Sequence, residues 1–322
     1  MEKLKALASA AVLATLLTAQ PASGQDWPQR SVRIMVPFAA GGNSDVIARI
    51  LAQRLSDVFG QQFVIDNRPG ASGTLAAEAV ARAPADGHTL LMGSPSQITI
   101  APTLTKTSYD PVKDFAPISL VGTNPFVLTA HPSVPAKSLT EFLAYARSHP
   151  EQIPYAHAGN GTIVHLAMVV FQRRAGIEMM PVVYKGGASQ VLNDVVGGHM
   201  ATYLSPLPPA VPLGNTGALR LLGVTSPERM PQIPDVPTFA ESGFPGYKIL
   251  TWSGLMAPAG TPRPIIDRIA REVAEAIKDP GVAQRLTASG VDLQASTPEE
   301  FSALISAELA MWAEAAQLAG SK

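Results

Sequence analysis

Short apolar runs alternate along the chain with segments whose apolar residues recur every three or four positions. The first pattern marks strands buried on both faces, and the second marks helices with one buried stripe. Val32–Val36 predicts a buried strand. Ile47, Ile50, Leu51, Leu55, Val58 and Phe59 then share one helical face, which Gly60 ends. Strands follow at Phe63–Asp66 and Thr89–Met92, with a helix over Thr74–Ala83 that Pro84 stops. This strand–helix rhythm predicts a parallel sheet covered by helices.

The rhythm continues beyond Pro125. Phe126–Ala130 predicts a strand, and Ser138 with Glu141 forms a capping box for the helix through Phe142, Leu143 and Ala146. Strands near Pro154–Ala156, Met179–Val183 and Met200–Leu204 alternate with helices near Thr162–Arg174 and Ala188–Val196. Leu219–Thr225 and Trp252–Ala257 are further strands, separated by the proline-rich connection Pro227–Pro245. The rest is helical: Ile266, Ile269, Val273 and Ile277 mark one helix, and a short one runs from Asp279-Pro280 to Gly290. Thr297–Glu300 caps a last helix striped by Phe301, Leu304, Ile305, Leu309 and Trp312.

At 322 residues the chain exceeds what one compact core usually holds, so two lobes are predicted. Lys3 and Lys5 precede the apolar run Ala6–Ala19, and Ala22-Ser23-Gly24 offers a small-residue cleavage site. That order is a secretory signal peptide over residues 1–24. A net charge of −1 supplies no broad cationic surface for nucleic acid. The absence of cysteine excludes disulfides, thiolate metal sites and a lipid-modified cysteine. Export without a cysteine anchor fits a periplasmic location.

In open α/β sheets, ligands sit beyond the carboxyl ends of strands, where loops lead into helices. Three such loops carry small residues: Pro37–Asp45, Ala158–Thr162 and Lys185–Ser189. Glycine lets main-chain N–H groups approach a ligand closely, and free N–H groups at a helix start favour anions. A carboxylate can therefore be held with few cationic side chains. Gly41-Gly42-Asn43-Ser44 lacks the dinucleotide fingerprint, and no P-loop, zinc motif or G-x-S-x-G elbow occurs. Ser94 and Ser96 follow a strand and could bond a ligand. His157 ends a strand beside the second loop and is the histidine placed in the cleft, whereas His165, inside a helix, reads as structural.

Over essentially all of the chain beyond the signal, the sequence resembles the Bug-type substrate-binding proteins of tripartite tricarboxylate transporters. The residues that carry the likeness include Trp27-Pro28, Val36-Pro37-Phe38 with Gly41-Gly42 and Asp45, and Asn67-Arg68-Pro69-Gly70. Ala85-Asp86-Gly87, Tyr109-Asp110-Pro111, Gly159–Thr162 with His165, Tyr184-Lys185-Gly186, Pro234–Thr238 and Ala257–Pro262 continue it.

The resemblance implies a two-lobed Venus flytrap of the type II-like periplasmic-binding-protein class, each lobe a mostly parallel α/β sheet. Lobe one would comprise 25–122 and 225–322, and lobe two 123–224. The implied function is an extracytoplasmic receptor that binds a small carboxylate between the lobes and delivers it to a membrane permease, as a monomer, without cofactor or metal. Phe38, Ala40, Gly42 and Asn43 would surround one carboxylate, Gly159, Asn160 and Thr162 would hold the far end, and Ser94 and Ser96 would line the floor. Many relatives carry an aspartate where Ser205 stands and a small residue where His157 stands. Those two departures point to a carboxylic acid without an ammonium group, aromatic acids included. A ligand sensor on the same fold, and a periplasmic enzyme acting on a carboxylate, are the alternatives.

Overall fold

The computed structural model describes residues 27–320, apart from 39, 41–42, 158–160, 185–186 and 289–290. In chain order it opens with β1 (Val32–Val36), α1 (Asn43–Phe59), β2 (Phe63–Asn67), α2 (Thr74–Ala81) and β3 (Thr89–Gly93). A π-type turn, Ser96–Ile100, leads into the short helix α3 (Ala101–Leu104) and then the long strand β4 (Phe115–Ala130). Next come α4 (Leu139–Ser148), β5 (Pro154–His157), α5 (Ile163–Ala175), β6 (Met180–Val183), α6 (Gly187–Val196), β7 (Thr202–Pro206), α7 (Leu207–Asn215) and β8 (Arg220–Val224). The chain closes with β9 (Leu250–Pro258), α8 (Arg263–Ala276), α9 (Pro280–Ala288), β10 (Asp292–Leu293) and α10 (Pro298–Gly320).

Two sheets result. In the first, β1 lies between β2 and β3 and runs parallel to both, with Val36 opposite Asn67 and Met35 opposite Leu91. β9 adds antiparallel to β3, and β4 antiparallel to β9. In the second, β5 runs parallel to β6 and β7, while β7 and β8 pair antiparallel with β4. Each lobe is thus three parallel strands joined to antiparallel connecting strands.

β4 is that passage. Phe115–Pro125 pairs with β9, and Phe126–Ala130 pairs with β7 and β8, so one strand belongs to both sheets. Only its second part is legible in the sequence, because Pro117 and Pro125 read as strand breakers. Pro117 sits at a register shift, and Pro125 is the last residue paired with β9. The α7 helix is hidden for a similar reason. Pro208 and Pro209 fall in its first turn, where a missing N–H costs no helical bond, and Pro212 lies inside it.

Burial follows the alternation of the strands. Ile34 and Val36 pack with Ile47, Leu51, Ile266 and Ile269 of α1 and α8, while Met35 and Leu91 face Ala76, Val80, Phe301 and Ile305 of α2 and α10. The second lobe centres on Phe142, Tyr155, Leu166, Phe171 and Leu204. The connection 227–249 packs there too. Phe239 and Phe244 lie 5.1 and 5.4 Å from Phe171, and Tyr247 donates from its hydroxyl to Ala167 O at 2.9 Å. Desolvation pushes the Tyr247 phenol well above its usual value.

The predicted caps form. Ser138 Oγ accepts from Glu141 N at 3.2 Å, although Glu141 Oε2 accepts from Lys137 N, one residue earlier than a reciprocal box requires. Thr297 and Glu300 close the full box on α10, with Glu300 N donating to Thr297 Oγ1 at 3.1 Å and Thr297 N donating to Glu300 Oε2 at 2.8 Å. β10 crosses β4 at Gly122, where an added Cβ would stand 2.5 Å from Asp292 O. Main chain cannot yield there, so Gly122→Ala is expected to lower stability by about 1–3 kcal/mol. Urea unfolding should show an earlier midpoint with unchanged native ellipticity.

Candidate functional site

The in-register parallel strands bring the carboxyl ends of β1, β2 and β3 to one edge. The loop after β1 is clamped there. Asn67 Nδ2 donates to Phe38 O at 3.0 Å and to Asp45 Oδ1 at 2.9 Å, and Arg49 Nε donates to Asp45 Oδ2 at 2.9 Å. The buried Asp45 thereby fixes the start of α1 against β2.

A second loop presses against the first. Gly70, Ala71, Ser72 and Gly73 have φ of 138°, 46°, 55° and 91°, four successive residues on the positive side. For Ala71 and Ser72 that conformation costs on the order of 1–2 kcal/mol each, so packing must hold it. Gly73 is required by contact as well, since a Cβ there would meet Pro37 Cβ at 2.9 Å. Thr74 Oγ1 closes the loop by donating to Ala71 O at 2.9 Å.

The facing wall comes from α5. Thr162 is its N-cap, and the Thr162 hydroxyl accepts from His165 N at 3.4 Å. His165 Nδ1 accepts from Gly161 N at 3.2 Å, which requires an unprotonated nitrogen. Burial, and secondarily the neighbouring His157, hold the His165 imidazole below its usual pKa. The two rings lie 4.8 Å apart. Gly161, at φ 78°, lies against Leu104 of α3, so the first lobe touches the second at this turn.

Between these walls lies a cleft of about 640 Å³. Ser72, Thr74, Ser96 and Leu104 line it from the first lobe, and Gly161 and Thr162 from the second. Glu78 and Lys106 lie at the same cleft, Glu78 paired with Arg82 at 2.7 Å.

Of the sequence-predicted site, Ser96 and Thr162 meet here. Phe38 is half-buried and Ala40 exposed in the loop after β1. Ser94 is buried, its Oγ 2.6 Å from the Gln97 side-chain amide, so it braces the turn below the cleft surface. His157 and Ser205 occupy buried positions at the carboxyl ends of β5 and β7. His157 packs on Tyr155 and His165, and Ser205 Oγ donates to Pro206 O at 2.9 Å. Both fill inward-facing strand positions, which a strand-end placement alone does not reveal. Gly42, Gly159, Asn160 and the side chain of Asn43 lie outside the described residues, as do Lys185 and Gly186 of the third glycine loop. Sequence reasoning passed over Ser72, Thr74 and Leu104. A signal existed for the first two, because Gly70 and Gly73 flank a strand-to-helix loop as in the three loops singled out.

Among the described residues, no group of three or more His, Cys, Asp or Glu could hold a metal ion. No described helix is long and apolar enough to cross a membrane.

The model of the tripartite tricarboxylate transporter family receptor matches residues 47–320. Three solved structures are similar along nearly their full length. R. palustris Rpa4515 with adipate shares 36% identity at a TM-score of 0.79, covering 91% of this chain and 98% of that one. MatC of Rhodopseudomonas palustris with bound malate shares 34% at 0.76, covering 90% and 100%. The periplasmic binding protein BugD shares 31% at 0.77, covering 92% and 99%.

The His165 geometry gives a pH signature. A histidine held below its usual pKa stabilises the fold fully above the unfolded value of about 6.5, and that contribution is lost as pH falls through the lower folded value. The melting temperature is therefore expected to drop with acidification below about pH 6.5. A His165→Asn variant, whose amide oxygen can still accept from Gly161 N, should show a smaller drop over the same window.

Proposed function

The chain belongs to the tripartite tricarboxylate transporter receptor family, and we propose that the cleft between its lobes receives a small organic carboxylate and passes it to the membrane permease of such a transporter. The single observation behind this reading is the meeting of Ser96 and Thr162 across one cleft, at the carboxyl ends of strands from two sheets. Hydroxyl and main-chain donors there suit an acceptor-rich anion. The family is one of transporter receptors, one solved relative is a periplasmic binding protein, and two others hold adipate and malate.

In this reading Phe38, Ala40, Gly42 and Asn43 hold one end of the ligand, Gly159, Asn160 and Thr162 hold the other, and Ser96 faces the floor above Ser94. A ligand touching both lobes binds the closed form better than the open one and shifts the balance toward closure. The lobes divide as 25–122 with 225–322, and 123–224. The change of β4 partner after Pro125 supports that division, while the aromatic packing of 227–249 on α5 ties this connection to the second lobe. Residues 1–24 act as the export signal, and the receptor works as a monomer that releases its ligand unchanged.

The ligand is proposed to lack an ammonium group. Glu78, the carboxylate in the cleft lining, already pairs with Arg82. Thermal-shift and calorimetric titration with malate, adipate, benzoate, aspartate and glutamate test this. Stabilisation by ammonium-free acids is expected; stabilisation by the amino acids alone would reverse the ligand assignment, and silence from every acid would remove the receptor reading. With a binding acid, Ser96→Ala is expected to weaken affinity about tenfold, or ~1.4 kcal/mol, with little change in melting temperature.

A further inference from the structure

Two segments cross from the core of one lobe to that of the other, and they meet at a half-buried acid. The first is the turn after Ser96. Ile98 packs in the first lobe with Trp252 and Phe301, whereas Ile100 packs in the second with Phe126 and Trp312. The second is α10. Its Phe301 and Ile305 belong to the first core, and its Trp312 and Ala315 to the second. Thr99 and Glu308 occupy the crossing points. Thr99 Oγ1 donates to Glu308 Oε2 at 2.9 Å, and Trp252 Nε1 donates to the same oxygen at 2.8 Å.

We propose that Glu308 is a positioning residue for ligand binding, the joint that locks the cleft-floor turn, through Thr99, to the helix that straps the two lobes. The proposal rests on the cleft between Ser96 and Thr162 being the ligand site. The turn begins at the cleft-lining Ser96 and reaches the joint three residues later. A shift of Ser96 on ligand contact therefore pulls on a bond whose other end is rooted in both cores. The Trp252 and Thr99 donors call for an acceptor here, but not for a charged one. Glu308 lies among Trp252, Phe301, Leu304 and Met311, and burial raises its pKa against the donors that favour the ionised form. Of the charged groups on neighbouring segments, Lys248 faces it. Withdrawing an acid from water into a largely apolar site is costly unless its bonds serve a purpose that an aliphatic residue cannot.

Thr99 and Trp252 donate to one oxygen, so a glutamine oxygen can accept those two bonds without charge, while the Trp312 indole also favours the ionised acid. The test uses the ligand-free protein first. Hydrogen–deuterium exchange is measured for wild type, Thr99→Val, Glu308→Ala and Glu308→Gln. Thr99→Val and Glu308→Ala are expected to lose at least tenfold protection both in residues 96–104 and around Trp312–Ala315, with Glu308→Gln close to wild type. Loss confined to residues 96–104 in Thr99→Val, or no loss, would overturn the joint. Should Glu308→Ala fail to fold, Thr99→Val decides alone. In the second arm, malate and adipate are titrated by calorimetry. Thr99→Val should bind the active acid about tenfold more weakly, and Glu308→Gln within twofold of wild type; equal affinity in Thr99→Val overturns the link to the cleft. Failure of both acids on wild type counts against the receptor reading and leaves the exchange result to judge the joint.

Discussion

The architecture depends on one strand obeying two sets of partners. β4 satisfies its main-chain groups with β9 over Phe115–Pro125 and with β7 and β8 over Phe126–Ala130. Unpaired buried main-chain groups are costly, so the change of partner must happen within one residue step. Pro125, which has no N–H to satisfy, stands at that step. The two sheets are thereby held at a fixed junction, and their loop-bearing edges are brought to a common cleft.

Beside Glu78 and Lys106, backbone conformation shapes that cleft. The residues with left-handed φ at 70–73, the Thr162 cap and the His165–Gly161 bond each aim or free a polar group at the junction. Ion pairs such as Arg30–Asp86 and Arg263–Glu299 are displayed elsewhere, on exposed surface, where screening leaves them little energetic weight.

The alternation of strands and helices was legible because buried strands and amphipathic helices leave period-specific traces. Val32–Val36 and the Ile47–Phe59 stripe coincide with β1 and α1 almost residue for residue. Proline concealed what it did not prevent: the length of β4 and the existence of α7. The cleft lining was legible at Thr162, beside a glycine-bearing turn, and at Ser96, where a short polar residue follows a strand. It was illegible where inside and outside differ by one position. His157 and Ser205 end strands beside the cleft, yet their side chains point into the sheet packing. Ser72 and Leu104 reach the cleft through a strained turn and an interlobe contact, neither of which has a periodic signature.

The helix α10 has its first half rooted in one core and Trp312 and Ala315 in the other. Wide gaping of the mouth would drag a large indole out of its packing, a penalty of several kcal/mol for an aromatic of that size. Small rocking about the strand junction leaves those contacts in place. The travel of one lobe against the other is thereby limited by side-chain packing and not by the main-chain junction alone.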